Sequence, residues 1–330
     1  MNKILKDVKR NHLLMITNDI YIHENATMNE LKQRLPLSQP SISNMIKILK
    51  EHHVIIELGN DLSSGGRCAT RLTINKEQYH ILNIYIRNHI IYYQINHFNE
   101  IEIAHSFPYT NEEDIIQVII QLYAQYKPHC LVLAVEGYVQ DDIYVTDHHN
   151  IIQRHDWIQT LKASIHTPIY LINDVKAMHL GRYFYHQKDH TIYLHINNVG
   201  IGSSYFYQDF PIYGSHGLMG EIGLIPLDGI TINQRIREAH SQKEFNDILC
   251  FILSIIITMI DPNYIDISID MNWQYDEESI KKYIQKYFHI LDYHKIHLNM
   301  NFQKSLFQGL QYIGIKNLIK ERVEKINVQV

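Results

Sequence analysis

The stretch TMNELKQRLPLSQPSISNMIKILKEHHVIIELGNDLSSGGRCATRLTI, Thr27–Ile74, decides how this chain is read. Thr27-Met28-Asn29-Glu30 is a capping box: a hydroxyl at the N-cap and a carboxylate three residues on satisfy orphan N–H groups of a helix start. That helix runs from Met28 to Arg34. Pro36 ends it, because proline lacks the N–H of the ladder and restricts Leu35 before it. Ser38 caps the next helix, with Pro40 in its first turn, where a missing N–H costs nothing. Ile42, Met45, Ile46 and Leu49 form the buried stripe of that helix. Val54–Leu58 is a strand, Gly59-Asn60-Asp61 a turn, and Cys68–Ile74 the returning strand. Upstream, residues 3–18 place Ile4, Val8 and Leu13 or Leu14 at helical spacing, which supplies a first helix. Three helices followed by a hairpin make a winged helix-turn-helix, a module that lays one helix in the DNA major groove.

The residues left off the buried stripe suit that task. Ser38, Gln39, Ser41, Ser43 and Asn44 donate and accept at base edges, while Lys47 neutralises a phosphate. An ordinary solvated helix face has the same composition, so the hairpin tips the balance. Gly65 and Gly66 let backbone approach a surface closely, and Arg67 beside them is suited to a narrow A·T-rich minor groove.

Net charge over 330 residues is −5, against a nucleic-acid binder when taken alone, but the charge is unevenly spread. Residues 1–75 hold ten Lys or Arg and seven Asp or Glu, a net of +3, leaving −8 on the remainder. A mildly basic head on an acidic body fits a DNA reader joined to a sensor. Cys68, Cys130 and Cys250 are far apart and form no C-x-x-C pair, so a reducing cytoplasm is expected rather than a disulfide or zinc-ribbon framework. The opening MNKILKDVKRN lacks the apolar core of a signal peptide. The longest uncharged apolar run, Ile248–Ile260, is too short to span a bilayer and reads as a buried helix.

Beyond a junction at Asn75–Tyr79 the pattern changes. Ile81–Ile86, Ile90–Ile95 and Ile101–Phe107 read as an antiparallel meander, followed by an amphipathic helix over Glu112–Tyr126. Leu131–Val135 and Ile169–Ile172 are apolar strands, Val175–Tyr185 is helical and Ile192–Ile196 is a strand. Ser203–Tyr207 pairs with Phe210–Ile212. Ile230–Met259 reads as one helix ended by Asp261-Pro262, then Ile265–Ile269 as a strand, with Ser279–Leu291 and Phe307–Lys320 as closing helices. This alternation predicts an α/β body of two lobes.

Three segments of that body occur in a telling order: Leu171-Ile172-Asn173-Asp174-Val175-Lys176-Ala177, Asn198-Val199-Gly200-Ile201-Gly202, and Gly214-Ser215-His216-Gly217-Leu218-Met219-Gly220-Glu221-Ile222-Gly223. They resemble the E-N-D-A-N-A, G-T-G-I-G and G-A-x-G-x-A-G-E-I-G-H motifs of the ROK family of sugar-responsive repressors and sugar kinases. Ser63-Ser64-Gly65-Gly66-Arg67 resembles the S-x-G-G-R wing of its repressor branch. The resemblance implies residues 1–75 as the winged helix-turn-helix domain and residues 76–330 as an actin-like, sugar-kinase-like ligand-binding and oligomerising domain, with lobes at about 76–175 and 176–330. It implies sugar contacts by Asn173, Asp174 and Glu221, and more loosely by Asn150 ahead of Trp157. In the family's kinases the aspartate matching Asp174 is the general base.

The departures from the pattern are physical losses. Where a kinase carries D-x-G-x-T for phosphate and magnesium, this chain has Tyr85-Ile86-Arg87-Asn88-His89, which lacks the acid and the glycine that phosphoryl transfer needs. The adenosine-binding glycine pair is replaced by Asp270-Met271-Asn272-Trp273. Leu224 stands for the histidine of E-I-G-H, Glu136-Gly137 for P-G, and residues 225–250 hold only Cys250 in place of the cysteine cluster that a tetrahedral zinc requires. The adjacent pairs His52-His53 and His148-His149 lack helical ligand spacing. The expectation is therefore a non-enzymatic, cofactor-free, metal-free transcriptional regulator, a repressor by resemblance. It binds a palindromic DNA operator as a homodimer or tetramer and takes a sugar or sugar-phosphate effector. A ROK-type sugar kinase and a ligand-independent regulator whose body only dimerises are the alternatives.

Overall fold

A computed structural model describes residues 2–60, 69–140, 143–148, 151–186, 190–207, 210–215, 218–288 and 296–327. The head comprises α1 (Asn2–Ile22), β1 (Ala26–Thr27), α2 (Met28–Arg34), α3 (Gln39–Glu51), β2 (Ile55–Asn60) and β3 (Thr70–Ile74), with the strands ordered β1-β3-β2. Both arms of the capping box form: the Thr27 N–H donates to Glu30 Oε2 at 2.7 Å and the Glu30 N–H to Thr27 Oγ1 at 3.3 Å. Ser38 Oγ accepts from the Ser41 N–H at 3.4 Å at the start of α3. Ile42, Met45, Ile46 and Leu49 are buried. Asp19 on α1 holds the Arg34 guanidinium of α2 through three contacts of 2.6–3.1 Å, which fixes the angle between the two helices. Thr27→Ala is expected to lower stability by about 1 kcal/mol through loss of the cap, read as a shift of the urea midpoint at constant slope.

The first helix forms as expected over Asn2–Ile22; its buried residues are Leu13, Ile16 and Ile20, while Ile4 and Val8 are exposed. One expectation for the head is corrected. Gly59-Asn60 is not the turn: β2 runs on to Asn60 with a bulge between Glu57 and Gly59, where Gly59 has φ +127°.

The body continues with β4 (His80–Arg87), β5 (Ile90–His97), β6 (Glu100–Pro108), α4 (Glu112–Tyr126), β7 (Cys130–Val135), β8 (Tyr138–Gln140), β9 (Ile143–His148), β10 (Ile151–His155), α5 (Trp157–Ser164) and β11 (Ile169–Asn173). Then come α6 (Asp174–His186), β12 (His190–Asn197), β13 (Ile201–Tyr207), β14 (Phe210–Pro211), β15 (Pro226–Leu227), β16 (Ile230–Thr231), α7 (Ile232–Glu238) and α8 (Gln242–Met259). The last elements are β17 (Tyr264–Asp270), α9 (Glu277–Phe288), β18 (Ile296–Leu298) and α10 (Phe302–Lys325).

Among the described residues two five-stranded sheets dominate, ordered β11-β7-β4-β5-β6 and β14-β13-β12-β17-β18. In the first, β4, β5 and β6 form the expected meander and β7 runs parallel to β4 and to β11. Helices α4 and α5 cover one face of it. Helices α6 and α10 cover the other, and α6 also reaches β12 and β13 of the second sheet, whose opposite face packs on α7, α8 and α9. The mixed α/β architecture is that of two sheet-and-helix lobes behind a helical head.

The run Ile230–Met259 is not one helix. Thr231 and Ser241 each cap a new helix, their hydroxyls accepting from the N–H groups of Gln234 and Glu244, so the chain breaks at Ala239–Ser241. The antiparallel sheet β10-β9-β8 and the helix α5 lie where no element was expected. Where α6 and α10 cross, glycines face each other: a Cβ on Gly309 would stand 1.9 Å from the Ala177 carbonyl oxygen, and one on Gly181 1.8 Å from that of Ser305. No helix among the described residues is long and apolar enough to cross a membrane.

Candidate functional site

The parallel strands of the two lobes end on a shared cleft, the position at which α/β sheets present ligand-binding groups. At the end of β11, the Asn173 amide donates to the Gly137 carbonyl at 2.6 Å, and its Oδ1 accepts from the Lys176 N–H at 3.0 Å. Asp174 opens α6 and is buried. Its Oδ1 accepts from the Val175 N–H at 2.8 Å and its Oδ2 from the Tyr85 hydroxyl at 3.2 Å. Burial, and then the charge of Glu136, push the Asp174 carboxyl up to about 7. This group therefore changes protonation near neutrality, as an acceptor or donor for a ligand hydroxyl.

That shift carries a stability consequence. The folded pKa lies above the roughly 3.9 of an unfolded aspartate, so the native state holds the proton more tightly. The resulting stabilisation is full below about pH 4 and is lost as pH rises through about 7. Asp174→Asn should flatten the fall of Tm between pH 5 and pH 8; a profile as steep as the parent's would show that Asp174 is not its source.

Glu221 precedes the 3-10 turn Ile222–Leu224. Its carboxyl is raised by burial and held down in part by Lys176, which reciprocally feels its charge. Lys176 thus connects Glu221 to the Asn173–Asp174 corner, and sequence reasoning missed it. Gly220, at φ +96°, would place a Cβ 2.2 Å from the Ser203 carbonyl oxygen, so the backbone here turns tightly against β13. Asn150 lies outside the described residues. Leu224, in the position expected for a histidine, is exposed.

The largest departure from the expected pattern is Arg87, which stands where a phosphate loop would be. At the end of β4 its guanidinium bonds Glu136 at 2.9 Å, after β7, and Asp270 at 2.6 Å, at the end of β17 in the other lobe. Burial works against its charge, but Tyr85, Glu136 and Asp270 more than offset this, so Arg87 stays cationic. It also lies over the Phe302 ring at the start of α10, 5.4 Å from its centroid. Asn197, at the end of β12, donates to Glu136 at 3.5 Å. A protein cation and its two carboxylates therefore fill the approach to the strand ends. Among the described residues no cluster of three or more His, Cys, Asp or Glu could hold a metal.

In the head, Ser38, Gln39, Ser43, Asn44 and Lys47 are exposed along α3. Ser41 is half-buried, its hydroxyl 3.5 Å from His12 Nδ1 of α1. Lys47 is 3.8 Å from Glu51, an exposed pair that leaves the ammonium accessible. Gly65, Gly66 and Arg67 lie outside the described residues.

Comparison with known proteins agrees with this geometry. A profile described as the ROK family matches residues 88–251. The xylose repressor of Staphylococcus xylosus is 22% identical over 230 residues, 63% of this chain and 58% of that protein, so the chain spans less than two thirds of that relative's length. A ROK family transcriptional regulator, a homologue of the E. coli MLC protein, superposes over 96% of this chain and 99% of its own with TM-score 0.70 at 15% identity. The ROK hexokinase of Thermus thermophilus superposes over 72% of this chain and 99% of its own with TM-score 0.56 at 14% identity, sharing the fold of the body alone. In its ordered motifs and two-lobe body the chain is similar to the ROK family, whose profile covers residues 88–251.

Proposed function

We propose that this protein is a DNA-binding transcriptional repressor that acts in the cytoplasm on carbohydrate metabolism. Residues 1–75 are the reader, and residues 76–330 form the ligand-binding and oligomerising body, with lobes of about 76–175 and 176–330. The observation that carries the proposal is the exposed polar face of α3, with Ser43, Asn44 and Lys47 opposite the buried stripe. The relative named as a xylose repressor supports the same reading. A homodimer or tetramer places two heads on a palindromic operator, with Gly65, Gly66 and Arg67 at the flanking minor groove.

Selection of operators from a random duplex library, followed by footprinting, tests this directly. Lys47→Ala should weaken binding evenly across sequences and reduce the salt slope by about one. Arg67→Ala should weaken it most at A·T-rich flanks. Failure to select any sequence would remove the repressor reading.

The effector in this proposal is a sugar or sugar phosphate held in the cleft by Asn173, Asp174 and Glu221, with Asn150; xylose is the first compound to try. Such a ligand shifts the heads only by its differential affinity for the two lobe arrangements. Stabilisation in a thermal-shift screen supports an effector, and its absence alongside intact operator binding supports a body that only dimerises.

A kinase is the second reading, favoured by one feature: Asp174 sits buried at the end of β11 with its carboxyl pushed up to about 7, in the range that suits a general base. Against it stands Arg87, paired to Glu136 and Asp270 where phosphates would enter. ATP turnover over a hexose and pentose panel, abolished by Asp174→Asn, would establish the kinase instead.

A further inference from the structure

A second cavity lies where the head meets the body, next to the pocket beside Arg87, with which it shares Asn301 and Gln303. Its volume is about 750 Å³, within the usual size range of small-molecule sites. The end of α1 and the turn after it, the β5–β6 hairpin and the first half of α10 supply its walls. We propose that this cavity is a binding site for a small, neutral, hydroxyl-rich molecule such as a mono- or disaccharide.

The chemistry of the walls selects that class. Gln94, Asn96, Asn99 and Gln311 are primary amides, each of which both donates and accepts, as a hydroxyl does. Tyr21 of the head and Tyr312 of α10 stack with ring centroids 6.1 Å apart and give the site an aromatic body. Among the described lining residues the charged groups are Glu24 and Lys304, one of each sign, so no surplus charge favours an ion.

The amides are held by a buried network. Asn83 Nδ2 donates to Asn96 Oδ1 at 3.0 Å and to Gln311 Oε1 at 2.8 Å, while the Gln311 amide donates to the Phe98 carbonyl. Asn83 is fully buried and is not itself part of the cavity wall, so it holds Asn96 and Gln311 in place from behind. The turn after α1 is itself tied down: the Thr73 hydroxyl donates to the Glu24 carbonyl at 2.8 Å. Tyr21, Ile22 and Glu24 belong to the head, so a molecule bound here touches head and body together. Its effect on operator affinity rests on the repressor reading above; its binding does not.

The test is saturation-transfer NMR and calorimetry on the full chain with D-xylose, D-glucose, maltose and sucrose, and with adenosine as a planar control. At least one saccharide should saturate a site whose contacts include the Tyr21 and Tyr312 rings. The double variant Gln94→Leu with Asn99→Leu, on a strand and its exposed hairpin turn, should weaken that binding about 10-fold or more, two hydrogen bonds at about 1 kcal/mol each. Unaltered circular dichroism would show that the double variant folds. Asp174→Asn in the cleft should leave this binding in place. The proposal is overturned if none of the four saccharides binds, if adenosine alone binds, or if Asp174→Asn abolishes binding that the double variant retains. Operator selection on the same samples without saccharide reports on the repressor reading separately.

Discussion

Gly309→Ala is expected to destabilise the protein by about 3 kcal/mol, the upper part of the range for an overpacked contact. The sign is the informative part. In an exposed helix the same exchange stabilises by about 1 kcal/mol, since alanine is the better helix former. Here the added methyl would lie 1.9 Å from the Ala177 carbonyl oxygen, and the obstacle is backbone rather than a side chain that could rotate away. Helices α6 and α10 would have to part along their whole crossing. Asp174 is the first residue of α6, so parting them also disturbs the Tyr85–Asp174 hydrogen bond in the cleft. Gly181→Ala should behave alike, and the double variant should cost less than the sum, because a single separation relieves both clashes. Urea denaturation of the three variants decides the matter; a Gly309→Ala protein as stable as the parent would mean that the helices cross less closely than described.

Arg87→Met is expected to cost about 3 kcal/mol, because removing one partner of a buried ion cluster strands the others. Arg87 is only 8% exposed and Glu136 22%, so little water would reach the stranded carboxylate. Glu136 is already raised by burial with the guanidinium beside it. Without it, the folded pKa rises further above that of an unfolded glutamate, so the variant should lose more stability than the parent as pH climbs above the ordinary carboxylate range. Asp270→Asn should matter much less, within about 1 kcal/mol, since its carboxylate is 41% exposed and screened. Adding Glu136→Gln to Arg87→Met should restore more than half of the loss. Denaturation at pH 6 and pH 8 reads all three. A pH-independent loss would assign the effect to packing against Phe302 rather than to the charges.

The head was the most legible part, because its signals are local. Thr27, Glu30, Ser38, Pro36 and Pro40 lie within a turn of the groups they satisfy, and each helix start fell where its cap stood. The cleft was legible in part. The Asn173–Asp174 corner was marked by its resemblance to a family motif, and Tyr85 and Arg87 were seen as losses. What replaced those losses was not visible, because the partners of Arg87 lie at the ends of β7 and β17, far off in sequence. Lys176 was hidden for a similar reason: its link to Glu221 joins the first turn of α6 to a turn 45 residues further on. The single helix expected over Ile230–Met259 failed because an apolar run outweighed two ordinary hydroxyl caps at Thr231 and Ser241. Gly181 and Gly309 gave no signal, as two glycines in separate helices reveal a crossing only once the helices are placed.

The C-terminal seat of α10 also orders events in time. Asn83 is bonded to Gln311 across 228 residues, Gln78 to Arg322 across 244, and Arg10 of the head to Glu324 across 314. On the ribosome, α1–α3 and the first sheet emerge early, yet the face they share stays bare until α10 has been translated. Contacts of such sequence separation close late and slowly. The head is thus locked to the body only when the whole chain is in place, so a half-made chain would present the head without its support.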